Sequence, residues 1–264
     1  MRNSVRLLIA GGWAIAGGVW AAGQLDLQAS LEHDAFLLYE PIKLKVEIRN
    51  HLPAPLLLGR GQHAALLLDV RDEKGALLPR EGGCPPVEGV VEPGAILETG
   101  LNLLDCYDLR SPRSYSLRVL LVQDDTALQR GPLFFEIRRG RKEASESAVV
   151  PDGSPRRYSL YSLVRDGAEK LLLQVENPAA AVCLVTIDFG RVLRFYHPRL
   201  TVDDEGRGHV VYQSAETSPP VFVHAVVGSD GSILYRETAA QSFGGPAELV
   251  PDRTWGYRLK TGGE

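Results

Sequence analysis

The 264-residue chain is poor in the residues that mark the commoner chemistries. It has three cysteines and one methionine, and it lacks the His-Glu-x-x-His, Gly-x-Ser-x-Gly, phosphate-loop and dinucleotide-binding motifs. His33, His51, His63, His197, His209 and His224 show no short metal-ligand spacing, so neither a metal nor another cofactor is expected. No catalytic residue is singled out by pattern. A formal charge of −4 argues against nucleic acid, which calls for a clustered basic surface. Helical hydrophobic periodicity is also missing, and beyond residue 23 no apolar run reaches the roughly 18 residues that a transmembrane segment needs.

What is present begins with MRNSVRLLIAGGWAIAGGVWAAG, residues 1–23. Arg2 and Arg6 precede an uncharged apolar run, Leu7 to Trp20, and Val19 and Ala21 stand where small residues flank a cleavage site. The pattern predicts a secretory signal peptide and hence a periplasmic or extracellular protein. The alternative is an uncleaved anchor helix, against which four glycines in the apolar run weigh. Loss of Arg2 and Arg6 takes the basic count from 29 to 27, against 33 acidic residues.

The rest reads as all-β. Ile42, Leu44, Val46 and Ile48 alternate with Lys43, Lys45, Glu47 and Arg49, giving a strand with one dry and one wet face. Leu66 to Val70, Ile96 to Leu104, Tyr115 to Val122 and Leu133 to Ile137 are further strands. They are separated by Asp72-Glu73-Lys74-Gly75, Pro93-Gly94 and Ser111-Pro112, each carrying turn chemistry. About seven strands at this spacing predict an antiparallel sandwich over residues 24–138.

The run Tyr39-Glu40-Pro41-Ile42-x-Leu44-x-Val46-x-Ile48-x-Asn50, with Pro93-Gly94 and Tyr107-Asp108-Leu109…Tyr115, resembles the immunoglobulin-like modules of secreted bacterial proteins and is similar to the BsuPI-type proteinase-inhibitor domain. The resemblance implies a sandwich in which Tyr115 ties its strand to the preceding loop. It implies no shared activity.

Residues 139–155, charged and free of periodicity, are expected to be a linker. Residues 156–264 form a second β domain, with strands at Tyr158 to Val164, Leu171 to Glu176, Val182 to Phe189, Val192 to Tyr196, Leu200 to Val202, His209 to Gln213, Val221 to Val227, Ile233 to Glu237 and Trp255 to Leu259. Asp166-Gly167 and Asp230-Gly231 are hairpin turns. The pattern Asp203-x-x-Gly206-x-x-His209-Val210-x-Tyr212 followed by Asp230-Gly231 is similar to a β-propeller blade. Since the segment is too short for four blades, an open or sandwich-like meander is expected.

In an exported chain Cys84 and Cys106, both in loops, are candidates for a disulfide or for two thiols that never meet. Cys183 reads as a small buried hydrophobe. Asp203-Asp204-Glu205 lacks calcium-loop spacing and reads as a solvated turn. With Asp230-Gly231 central in a two-residue turn, Ser229 faces Ser232 and Val226 faces Tyr235, so that His224, Val226, Ile233 and Tyr235 share a face. His209 joins them in one register and leaves them in the other. The candidate binding residues are therefore His209, His224 and Tyr235, with Tyr196 and His197 nearby. The functional expectation is a non-catalytic interaction or scaffold protein with a protein, glycan or surface partner. A hydrolase or lyase acting on envelope polymers and a proteinase-inhibitor-like module are the alternatives.

Overall fold

The computed structural model describes residues 24–59, 61–124, 126–240, 245 and 247–260. The expected signal peptide, 1–23, lies outside the described residues. The molecule is all-β. Its first nine strands are β1 (Leu25–Leu31), β2 (Ala35–Leu37), β3 (Lys43–Asn50), β4 (Leu56–Leu58), β5 (Ala64–Asp72), β6 (Gly89–Val91), β7 (Ile96–Asn102), β8 (Ser114–Gln123) and β9 (Thr126–Arg138). They form a three-stranded sheet, β1-β3-β7, and a six-stranded sheet, β2-β9-β8-β5-β4-β6.

Alternation does the work in β3, where Leu44, Val46 and Ile48 are buried and Lys43, Lys45 and Arg49 are exposed. Their apolar face closes on Val70, Leu117, Val119 and Phe135 of the larger sheet, making one buried cluster. The Tyr115 hydroxyl donates to the Ser111 carbonyl at 2.8 Å, tying β8 to the loop before it. Cys84 and Cys106 are joined, S–S 2.02 Å, in loops that close over the same cluster.

The second half begins with β10 (Arg141–Val149), β11 (Pro155–Arg165), β12 (Ala168–Asn177) and β13 (Val182–Arg191), hydrogen-bonded in that order. Here the linker expectation is corrected. Residues 141–149 pair along β11, and only Arg139 and Gly140 separate β9 from β10. The segment looks unstructured in sequence because an edge strand with much of its surface in solvent does not need an apolar period. The next sheet contains β14 (Arg199–Val202), β15 (Gly208–Ser214), β16 (Val221–Val227) and β17 (Ile233–Ala240), and a hairpin follows, β18 (Glu248–Asp252) with β19 (Gly256–Lys260). The two four-stranded sheets face each other across Tyr158, Leu160, Leu173, Val175, Phe189, Val210, Tyr212, Val223 and Ala225.

Turn chemistry separates the two Asp-Gly hairpins. Arg165 pairs with Ala168 around Asp166 (φ 51°) and Gly167 (φ 71°), a two-residue loop with both central residues left-handed. At Asp230-Gly231 the loop has three residues: the Gly231 N–H donates to the Gly228 carbonyl and the Gly228 N–H to the Ser232 carbonyl. Gly228, not Ser229, thus faces Ser232. Gly231 takes the left-handed position (φ 87°), where a Cβ would stand 1.9 Å from Val185 Cγ1. The extra residue reappears as a bulge: Val226 pairs with Tyr235, but Val227 pairs with Ile233. The strand expected at Val192 to Tyr196 is also corrected, because only Val192 makes a bridge there, to Ser214.

The outer face of the β10–β13 sheet meets the first half. Leu163 and Leu172 pack on Leu37, and Gln174 donates its amide to the Leu38 carbonyl. The fully buried Arg165 guanidinium donates to Glu40 and to Asp188, each at 2.6 Å. Burial, the largest effect on Glu40, pushes its carboxyl above the usual range against the hydrogen bond and charge of Arg165. Removing one member strands the other in a dry junction. Arg165→Met is therefore expected to lower the unfolding free energy by about 3–5 kcal/mol, whereas the double substitution Glu40→Gln, Arg165→Met costs less than the sum of its parts. Urea titration of the four proteins of this cycle measures both.

Candidate functional site

His209, His224 and Tyr235 lie on the outer face of the β14–β17 sheet, and register decides how they meet. Across β15 and β16, His209 pairs with Val226 and Val211 with His224. Across β16 and β17, Val226 pairs with Tyr235 and His224 with Glu237. The two histidines are therefore diagonal neighbours on one face, with Tyr235 beside them. Their rings lie edge to edge and nearly coplanar, 5.3 Å between centroids at an interplanar angle of 20°, and His224 meets Tyr235 edge-on at 6.3 Å.

Two carboxylates, neither among the sequence-selected site residues, complete the group. Asp203 sits at the first position of the β14–β15 turn. Its Oδ1 accepts the N–H groups of Glu205 and Arg207, and its Oδ2 accepts Arg207 Nε at 2.7 Å and lies 3.0 Å from His209 Nε2. This carboxylate belongs to the turn and to a histidine. Next along the chain, His209 Nδ1 is 3.0 Å from His224 Nε2, and His224 Nδ1 is 2.8 Å from Glu237 Oε1. Four side chains thus stand in a line: Asp203, His209, His224, Glu237. They do not converge on a point, and no group of metal-ligating side chains occurs among the described residues.

The β18–β19 hairpin covers this line. Tyr257 points its ring edge at His209, 5.0 Å between centroids, Trp255 stacks on Tyr235 at 5.3 Å, and the Leu259 N–H donates to Glu237 Oε1 at 2.7 Å. Both histidine side chains are 0% exposed. Burial, the largest effect, lowers the His209 pKa, against the hydrogen bond and charge of Asp203, which raise it. Asp203 feels burial most strongly, in the raising direction. The combined hydrogen bonds from His209 and Arg207, with the Arg207 charge, outweigh it and hold the carboxyl below its ordinary value. An open ligand-binding face at His209, His224 and Tyr235 is thus corrected, because the chain's own hairpin occupies it.

Tyr196 and His197 lie elsewhere, in an open groove of 330 Å³. Arg194 fixes the bend that makes it. Its guanidinium donates to Glu143, Glu169 and Ser162, and it is the main cause of holding the Glu143 carboxyl at about 2. With Arg194 drawn inward, Phe195 is turned out, 77% exposed. Tyr196 packs on Phe222, 5.3 Å between rings, to form the floor. His197 and Arg199 are exposed on the rim and make no hydrogen bond or ion pair among the described residues. Ala247, just before the hairpin, closes one side, and a second groove of 340 Å³ continues past Arg199 to Glu248, Leu249 and Tyr257. Sequence analysis missed Phe195, Arg199 and Phe222; the aromatic pair Phe195-Tyr196 beside His197 was the available signal. Cys183 is a free, half-buried thiol whose pKa burial raises.

No family model matches the chain, and no curated protein matches it. Among solved structures, the crystal structure of Spo0M, a sporulation control protein from Bacillus subtilis, is similar at 11% identity over 64% of this chain and 91% of that chain. Its TM-score of 0.28 is too low to support an argument about fold or function.

Removing a ring from the middle of the buried line leaves polar partners unsatisfied, each costing about 1–3 kcal/mol. His224→Ala is expected to lower the unfolding free energy by at least about 2 kcal/mol on this basis. Denaturant unfolding checks it, and an unchanged midpoint would show that the line contributes nothing.

Proposed function

We propose that the chain is an exported, non-catalytic interaction protein that captures an acidic glycan in the groove of Phe195, Tyr196, His197, Arg199 and Phe222. The groove carries the reading. An aromatic ring turned into solvent beside an aromatic floor offers a face to the apolar side of a sugar ring. An unpaired guanidinium on the rim supplies the charge partner for a carboxylate, and its planar fork favours bidentate pairing. Large exposed aromatics flanked by polar groups are a recurring mark of binding surfaces. Export is supported by the Cys84–Cys106 bridge, since disulfides persist in oxidising compartments. Exported material is expected to begin between Ala22 and Gln24, as N-terminal sequencing would show.

The binding test uses oligosaccharides of a hexuronic acid, with neutral oligosaccharides and polyglutamate as comparators, in titration calorimetry at two salt concentrations. The hexuronate is expected to bind, and more weakly at high salt. Phe195→Ala and Arg199→Ala should each weaken it about tenfold, the equivalent of ~1.4 kcal/mol. Equal affinity for neutral sugars would remove the role of Arg199. Binding of polyglutamate without any binding of sugar would make the partner a peptide.

A further inference from the structure

The buried line Asp203–His209–His224–Glu237 has a proton count that geometry alone fixes. It contains three close contacts: carboxylate to ring nitrogen at 3.0 Å, ring nitrogen to ring nitrogen at 3.0 Å, and ring nitrogen to carboxylate at 2.8 Å. Each needs one hydrogen between its heavy atoms. Two neutral imidazoles carry one N–H each, two in total. In each of the four tautomer combinations of neutral rings, at least one of the three contacts is left without a hydrogen. Both carboxylates already accept from further donors, Arg207 Nε and the N–H of Arg207 on Asp203 and the Leu259 N–H on Glu237, so the hydrogen in each ring contact is the ring's to supply. The closed line therefore holds three ring protons, one more than neutral rings supply. A fourth ring proton would set N–H against N–H across the His209–His224 contact, in a site where both rings are sealed from water.

The line is also what the hairpin rests on. Every titratable or charged group facing the rings belongs to an element that the hairpin touches: Asp203 and Arg207 from the β14–β15 turn, Tyr235 and Glu237 from β17, and Tyr257 from β19, with Glu205 outside them on Arg207 Nη1 at 3.0 Å. Leu259 hangs on the Glu237 oxygen that faces His224, and Tyr257 rests on His209. The same hairpin walls the second groove through Glu248, Leu249 and Tyr257, and Ala247, just before it, closes one side of the first.

We infer that this line is an acid-sensitive latch: it closes on a single shared ring proton, a second opens the His209–His224 contact, and the hairpin that walls the second groove and adjoins the first then undocks. Its effect on a partner rests on the groove reading above; the latch itself does not. The direction of the pH effect follows from His209. Its folded pKa lies below the unfolded value near 6.5, so the unfolded or undocked ring takes a proton that the docked ring refuses. The docked state's advantage is greatest at about pH 6.5, where undocked rings hold on average the one extra proton that the docked line keeps, and it is lost as pH falls below that value and the undocked rings take the second. Asp203, also depressed, adds a loss at lower pH, as acid approaches the carboxylate range.

The test is hydrogen exchange of the full chain from pH 7.5 to 5.0, corrected for intrinsic exchange and read on peptides spanning residues 247–260. Protection there is expected to fall several-fold from its value at about pH 6.5 towards pH 5.0, while peptides from β3 and β8 keep theirs. In His209→Phe, His224→Leu, protection should no longer depend on pH over this range. Should that variant not fold, Glu237→Gln, which keeps an acceptor for the Leu259 N–H, should shift the midpoint of release. Ring-nitrogen NMR at pH 7.5 should count three N–H protons on the pair. Protection of 247–260 that ignores pH, release that persists unshifted in both variants, or only two ring protons would overturn the latch. Hexuronate titration at the same pH values separates the two readings. Acid release of the hairpin with no glycan bound at any pH leaves the latch standing and removes the groove. Glycan binding with a pH-indifferent hairpin does the reverse.

Discussion

Burying the Arg165 guanidinium obliges the two halves of the molecule to meet. Arg165 closes β11 on the outer face of its sheet, and a cation there can be tolerated only beside counter-charges. Asp188 comes from the same sheet, but Glu40 comes from the turn after β2, 125 residues earlier in the chain. Satisfying it brings Leu37 onto Leu163 and Leu172 and places the Leu38 carbonyl within reach of Gln174. The short step from β9 to β10, Arg139 and Gly140, is consistent with that contact. The junction is thus built from specific polar pairing around a small apolar patch.

The same physics operates on the far side of the second sandwich. The outer face of the β14–β17 sheet carries His209, His224 and Glu237 among apolar residues, and the hairpin that covers it must leave them paired. A line of hydrogen bonds meets this demand, with the hairpin's own N–H at Leu259 joined to its end. A covering element fastened by titratable groups differs from one fastened by leucines, because its docking is linked to proton binding. The hairpin also walls the second groove, and Ala247 just before it closes the first, so the chemistry under it and the shape beside it meet at one two-stranded element.

The groove itself is a consequence of charge neutralisation nearby. Arg194 is pulled inward by Glu143 and Glu169, which breaks what would otherwise continue as a strand and everts Phe195. An exposed aromatic, an aromatic floor and an uncommitted Arg199 then lie together, which favours an anionic ligand with an apolar face.

Much of this architecture was legible in the sequence. Alternation in Ile42 to Arg49 marked β3, glycine-bearing turns marked most hairpins, and the apolar runs of the second half marked the strands of its two facing sheets except β10. These signals are local: period two, turn dihedrals and small-residue requirements act within a few residues. The pairing of Val226 with Tyr235 agrees with the expectation only because the bulge beside it cancels the one-residue shift of the three-residue loop, which the Asp-Gly pattern did not reveal. What local pattern left open was whether His209 shared the face of His224, because the Ser214–Pro220 loop carries no register information. The edge strand β10 gave no apolar period, and Val192 to Tyr196 gave one that Arg194 overrode. Asp203 read as a solvated turn residue and Glu237 as a strand end. The sequence alone determined the strands and their wet and dry faces, because backbone alternation is short-ranged. Only the tertiary structure decided that Asp203, His209, His224 and Glu237 form one buried line beneath a hairpin, because burial and hydrogen-bond partnership depend on what another part of the chain brings to the same place.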